Sequence, residues 1–331
     1  MKLRSLHWLV ALLVPFVLLT AACGSDGETA NTGEAPTTGD APTTTGGAAT
    51  EGACAETPAP DGAPEVVIGV QGFGESAILA QLYAQCLEAA GYTVSVQEVG
   101  GFRDLEVAAF DSGDINFAPE YAASMLEFLN EFAGEATSDI DETFGLLNQR
   151  LADKGLVALQ PSEAVDTNAF VVTQETSDAL GLTTLSDLAD HQDLTLGAPA
   201  DCETNAFCLP GLETTYGVDL SQGFTALETG AIPDALDAAE IDIALLFSTD
   251  AIIADKAWVL LEDDQHMLAA DNILPVVKTE LNDVEGFASL VDAVSALLDT
   301  EGITELNRRF SIDREDADAI ATAFLTENGL L

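Results

Sequence analysis

Between Val66 and Phe117 the apolar residues switch back and forth between two spacings, and that alternation restricts the possible folds more than any other feature of the chain. Val66–Val70 is a short continuous apolar run of strand length. Ser76–Ala90 has helical spacing, with Ile78, Leu79, Leu82, Tyr83, Cys86 and Leu87 on one face, and Gly91 ends it. Thr93–Val99 alternates as a strand, with Val94 and Val96 on one face. A helix over Leu105–Phe110 then leads through Ser112-Gly113-Asp114 to a third strand, Ile115–Phe117. A β-α-β-α-β order requires crossover connections, and these build a parallel sheet flanked by helices.

The pattern returns further along. Ala169–Val172, Leu194–Ala198, Ile241–Phe247, Trp258–Leu261 and Ile273–Val277 read as strands, Ser186 opens a short helix, and Gly230–Ala239 is helical. From Asp283 to Leu331 the spacing predicts helix throughout, with a basic turn at Arg308 and Arg309. Two α/β units with a cleft between them suit ligand capture at strand ends.

The start of the chain concerns destination. Lys2 and Arg4 precede an apolar run, Leu9–Leu19, and then Leu19-Thr20-Ala21-Ala22-Cys23. A basic segment, a short apolar stretch and small residues make a secretory signal over residues 1–22. The run is shorter than the roughly 20 residues of a spanning helix. Cys23 behind two alanines resembles a lipobox, in which the thiol is acylated and the chain is cut before it; the alternative is an ordinary signal peptide. Residues 23–64 are rich in Gly, Thr, Ala and Pro, cannot bury enough surface to offset their ordering entropy, and read as a leash. The expected location is the outer face of the cell membrane, held by the lipidated Cys23 alone.

Behind Cys23 stand four cysteines: Cys54, Cys86, Cys202 and Cys208. An even number outside the cytoplasm favours disulfides, and four allow three pairings. Cys202 and Cys208 flank a short turn-like segment and are expected to pair, which leaves Cys54 with Cys86. No Cys-x-x-Cys occurs and only His191 and His266 lie beyond the leader, so neither a metal nor a cofactor is expected. The chain carries 57 acidic against 10 basic residues, a formal net charge of −47. That balance excludes nucleic acid and anionic lipid as partners. It fits a field that concentrates cations, or an acidic coat for a salty or acidic habitat.

Several segments resemble, in order, the osmoprotectant-binding receptors of ABC importers for glycine betaine, choline and carnitine. They are Val67-Ile68-Gly69-Val70-Gln71-Gly72-Phe73-Gly74-Glu75, Asp111–Tyr121 ending in Pro119-Glu120-Tyr121, Ser186-Asp187-Leu188, Gly211-Leu212 with Tyr216-Gly217, Phe247-Ser248-Thr249-Asp250, Leu261–Asp264 and Asn272-Ile273-Leu274-Pro275. The resemblance spans residues 65–331. It implies a two-lobed, periplasmic-binding-protein-like (type II) α/β fold with two crossover strands. Lobe I would be residues 65–167 plus 272–331 and lobe II residues 168–271, with crossings near Asn168 and Asn272. The implied partners are a small quaternary ammonium ligand and ABC permease subunits, with the receptor itself a monomer.

A quaternary ammonium has no N–H to donate, so aromatic faces hold it. The resemblance places Tyr121 in the site, with Phe73 in the first loop and Phe247 and Thr249 around the Ser-Thr-Asp segment. Asn168 falls where many relatives carry tyrosine. Asp271 ends Leu268-Ala269-Ala270-Asp271 where relatives have a Phe-Pro-Pro-Tyr run. Gln71 and Asn205 occupy places where relatives often hold a carboxylate with cations. Ser124 can still donate a hydroxyl, and Arg103 is a possible substitute cation. These exchanges imply choline over glycine betaine. A same-fold receptor for a polyol, an amino acid or an ectoine-like solute is the alternative. An enzyme is the remote one, since no Gly-x-Ser-x-Gly or phosphate loop occurs.

Overall fold

The computed structural model describes residues 52–101 and 103–331. The signal segment 1–22, the lipidation site Cys23 and residues 24–51 of the leash lie outside the described residues.

The chain enters its first sheet with β1 (Val66–Gln71), α1 (Gly74–Ala89), β2 (Val94–Gly100), α2 (Arg103–Ser112), β3 (Phe117–Tyr121), α3 (Ala122–Leu129), α4 (Ile140–Ala152) and β4 (Leu156–Ala158). It crosses to a second sheet made of β5 (Asn168–Val172), β6 (Leu196–Ala198), β7 (Phe224–Ala226), β8 (Ile243–Phe247) and β9 (Val259–Leu260), with α5 (Gln174–Leu180) after β5. Then it returns as β10 (Ile273–Lys278). The strand orders are β2-β1-β3-β10-β4 and β7-β6-β8-β5-β9. In each sheet three neighbouring strands are parallel and the fourth runs against them: β10 against β3 and β4, β5 against β8 and β9. That reversed strand is the one entered directly from the crossing.

The two crossing segments lie side by side and antiparallel. Val165 bridges Asn272, the Asp166 amide donates to the Asp271 carbonyl at 3.1 Å, and the Ile273 amide donates to the Ala164 carbonyl at 2.9 Å. The expected α/β architecture with two crossover strands is the observed one.

Each sheet buries both faces, because strand side chains alternate and helices or turns cover both sides. In the first sheet Val66, Ile68 and Val70 with Phe117 and Ile273 face α1 and the C-terminal helices, whereas Ala118, Leu274 and Val276 face α2, α3 and α4. In the second sheet Phe170 and Val172 point to one core and Ala169 and Val171 to the other. α1 buries Ile78, Leu79, Leu82, Tyr83, Cys86 and Leu87, the face predicted from spacing. Each aliphatic side chain fully buried there is worth about 1.5–3 kcal/mol.

Three sequence readings need correction. The third strand begins at Phe117 rather than Ile115, because the amides of Gly113, Asp114 and Ile115 all turn back to the Ala109 carbonyl and close α2. It continues through Pro119, which lies opposite Pro275. The C-terminal stretch is not helical throughout. It divides into Thr279–Asn282, Phe287–Ser295, Thr300–Ser311 and Ala317–Glu327. Gly286, at φ 84°, precedes the second segment, and the Asp299 side chain caps the third by accepting from the Gly302 amide. The segment over residues 122–167 and the strand β7, which periodicity left unassigned, contain regular structure.

Both expected disulfides are present, Cys54–Cys86 and Cys202–Cys208. The first ties the turn Ala53–Glu56 to α1, beside backbone bonds from Ala53 and Cys54 to the Gly329 and Leu330 carbonyls. Closing a chain separation of 32 residues stabilises by about 3–4 kcal/mol in the loop-entropy description.

Candidate functional site

The carboxyl ends of β1, β3 and β8 and the amino ends of β5 and β10 meet at the crossing. That side of an open α/β sheet is where ligands are held. The ladders fix which residues stand there. Gln71 ends β1, Tyr121 ends β3 opposite Ile273, and Asn168 opens β5 opposite Phe247, the last residue of β8. Asp271 immediately precedes the crossing residue Asn272.

Four of the predicted residues, Ser124, Asn168, Asn205 and Asp271, surround a small void of about 30 Å³ together with Thr167 and Phe207. Asp271 accepts from the Ser124 amide at 2.9 Å and from the Ser124 hydroxyl at 2.5 Å. Burial pushes the Asp271 carboxyl up to about 6, although the Ser124 bonds and the Arg103 charge pull it down. The Asn168 side-chain amide donates to the Phe207 carbonyl at 3.0 Å, and the Asn205 side-chain oxygen accepts from the Phe207 amide at 2.9 Å. The far wall, Leu268 to Asp271, is set by Asp263, which takes the Tyr216 hydroxyl and the amides of Met267 and Leu268.

Beside the void lies a cluster of buried carboxylates that sequence reasoning missed. Glu75 accepts from the Tyr121 hydroxyl at 2.6 Å, the Thr249 hydroxyl at 2.7 Å and the Asn307 amide at 2.6 Å. These donors come from β3, from the loop after β8 and from the C-terminal helix Thr300–Ser311, so one carboxylate joins the two sheets. Asp166, on the first crossing, accepts from the Thr249 amide and the Ser248 hydroxyl. Burial, then the charge of Glu75, hold Asp166 well above the usual carboxylate range. Burial and Glu75 likewise push the Tyr121 phenol up.

On the other side of Tyr121, Arg103 grips Glu120 with two nitrogens at 2.7 and 2.8 Å. The Gln71 amide donates to Glu106 at 3.0 Å and to Glu120 at 3.2 Å. Burial opposes the Arg103 charge, but Glu120, Glu106 and Asp271 outweigh it and keep the guanidinium protonated. Glu106 is fully buried, and burial and its neighbour Glu120 hold it well above its ordinary range. Removing the guanidinium from such a pair costs about 3–5 kcal/mol, because it strands a buried charge.

The nine predicted ligand residues therefore fall into groups. Ser124, Asn168, Asn205 and Asp271 line the void. Gln71, Tyr121 and Thr249 are buried and spend their polar atoms on carboxylates. The Phe73 ring lies 6.2 Å from that of Tyr121 and is 41% exposed. Phe247 is 40% exposed, and its amide is held by Asp250. Glu75 and Glu120 sat inside the matched segments without being singled out. Glu106 did carry a signal, an acid four residues before Phe110 on the apolar face of α2. Phe207 carried none.

These carboxyls make stability depend on pH. Asp271 and Asp250 are both pushed up to about 6, chiefly by burial, whereas an unfolded aspartate titrates near 4. The folded form thus binds these protons more tightly, and stability rises as pH falls from about 6 to 4. The melting temperature of the ligand-free protein is expected to increase between pH 7 and pH 5. Asp271→Asn is expected to stabilise by about 2 kcal/mol at pH 7 and to flatten the gradient. A variant whose gradient matched wild type would show that Asp271 does not titrate in this range.

Comparison with known proteins points the same way. The family model for the substrate binding domain of ABC-type glycine betaine transport systems matches residues 64–327. A glycine-betaine-binding protein of Pseudomonas aeruginosa is 28% identical over 281 residues, covering 80% of this chain and 88% of the relative. The glycine betaine-binding protein YehZ of Escherichia coli is 25% identical, covering 81% of this chain and 92% of its own. Among solved structures, a glycine betaine/carnitine/choline ABC transporter protein superposes with a TM-score of 0.69 at 23% identity, covering 80% of this chain and 99% of that one. The chain belongs to the family of substrate-binding domains of ABC-type glycine betaine transport systems, a family of receptors and not of enzymes.

Proposed function

We propose that the protein is an extracytoplasmic receptor lipoprotein that captures quaternary ammonium solutes and prefers choline to glycine betaine. Residues 65–167 with 272–331, and residues 168–271, act as two lobes that close on the ligand about the crossings near Asn168 and Asn272. The nine residues Gln71, Phe73, Tyr121, Ser124, Asn168, Asn205, Phe247, Thr249 and Asp271 form or support the site. Among known structures of similar fold is an ABC-transporter choline-binding protein in complex with choline, with a TM-score of 0.54 at 16% identity.

The observation that carries the choline preference is where the donors are spent. Arg103 gives two nitrogens to Glu120, and Gln71 gives its amide to Glu106 and Glu120. The Arg103 charge is thus already offset by Glu120, and the Gln71 amide nitrogen is engaged by two carboxylates. Asp271 instead presents a negative charge at the void, and a like charge in a low-dielectric cleft is repelled more strongly than in water. Tyr121 and Phe73, whose rings lie 6.2 Å apart, would supply the aromatic faces for the ammonium, each worth roughly 0.5–2 kcal/mol. Isothermal titration of both ligands decides it. Choline is expected to bind more tightly, and Asp271→Tyr to move the ratio towards betaine. A tenfold wild-type preference for betaine, or an unchanged ratio in the variant, contradicts the assignment.

The lipid anchor rests on the Ala21-Ala22-Cys23 sequence behind a basic, apolar leader. Cys23→Ser is expected to release the protein from membranes or block its processing. Normal cleavage with full membrane retention would refute acylation at Cys23.

A further inference from the structure

We propose that Phe207, carried by the ring that the Cys202–Cys208 disulfide closes, is a specificity-determining wall of the ligand site. It would supply the aromatic face that Asn168 and Asp271 do not provide. This rests on the quaternary ammonium reading given above.

Phe207 lines the same void as Asp271, Ser124 and Asn168. It is half-buried and is not among the residues packed on the apolar cores of the described residues. A large ring left out of these cores, on a residue that lines the void with a carboxylate, would provide a π-face and a counter-charge for one cation.

The backbone at Phe207 is fixed from several sides. Its carbonyl takes the Asn168 side-chain amide and its own amide is held by Asn205. The disulfide closes the segment six residues apart, with both sulfurs buried in the second core. The neighbouring Ala206 carbonyl packs on Gly211, where a Cβ would collide with it and with the Met267 sulfur. Met267 in turn begins the wall set by Asp263. Asn168 and Asn205 thus act less as ligand contacts in their own right than as the clamps of Phe207. Holding the Phe207 backbone in place removes part of the ordering cost that binding would otherwise carry.

Two consequences follow. Binding of a quaternary ammonium depends on a π-face at position 207, and it depends on the disulfide through that same residue. The test is titration of the mature protein with choline, with melting curves as a check on folding. Phe207→Tyr is expected to bind as wild type. Phe207→Leu and Phe207→Ala are expected to weaken choline by between about twofold and thirtyfold, Leu nearly as much as Ala. The Cys202→Ala/Cys208→Ala protein, melting cooperatively with Cys54–Cys86 intact, is expected to lose affinity to a similar degree. Adding Phe207→Ala to it is expected to cost little more, because both act through one ring. If choline binds wild type but Phe207→Ala leaves affinity unchanged, or if the disulfide and Phe207 losses simply add, the inference is overturned and the receptor reading stands. A wild-type protein that binds neither choline nor betaine overturns both.

Discussion

At the crossing between the two sheets, more carboxylates are buried than cations face them. Glu75, Glu106, Glu120, Asp166 and Asp271 are all nearly or fully out of water, and Arg103 is the guanidinium that lies among them. A buried carboxylate is tolerable only with donors or with a proton. The surrounding sequence answers that demand group by group. Glu120 has Arg103, Gln71 and the Tyr121 amide; Glu75 has Tyr121, Thr249 and Asn307; Asp271 has Ser124. Glu106 and Asp166 sit in the remaining deficit and are driven towards the protonated form.

This arrangement links architecture to function. The donors to Glu75 arrive from both sheets and from the C-terminal helix, so the same bonds that satisfy the charge hold the two halves of the cleft in register. A permanent cation entering beside Asp271 would relieve the imbalance that the protein alone meets with protons and hydroxyls. A zwitterion would relieve less of it, because its own carboxylate re-enters an acidic pocket.

The architecture was legible because it rests on periodicity. Strand and helix spacing from Val66 to Phe117 imposed the parallel β2-β1-β3 part of the first sheet, and the buried face of α1 followed residue by residue. Boundaries were legible only where a local group sets them. Gly91 ended α1 as read, whereas the bonds that postpone β3 to Phe117, from the amides of Gly113, Asp114 and Ile115 to the Ala109 carbonyl, leave no mark in hydrophobic spacing. The site divides in the same way. Ser124, Asn168, Asn205 and Asp271, expected from family spacing, line one void. That Gln71 and Tyr121 would be occupied by Glu106, Glu120 and Glu75 was not readable, because those contacts join positions 35, 49 and 46 residues apart.

Choline keeps its charge at every pH, so any pH dependence of its binding belongs to the protein. The most direct measurement of the carboxylate-built site is therefore calorimetric affinity for choline between pH 7 and pH 5. With Asp271 titrating near 6, affinity is expected to fall on the order of tenfold over that interval, and Asp271→Asn to bind more weakly at pH 7 but nearly independently of pH. A wild-type affinity that stays flat to pH 5, or an equal decline in Asp271→Asn, would contradict a cation site organised around Asp271.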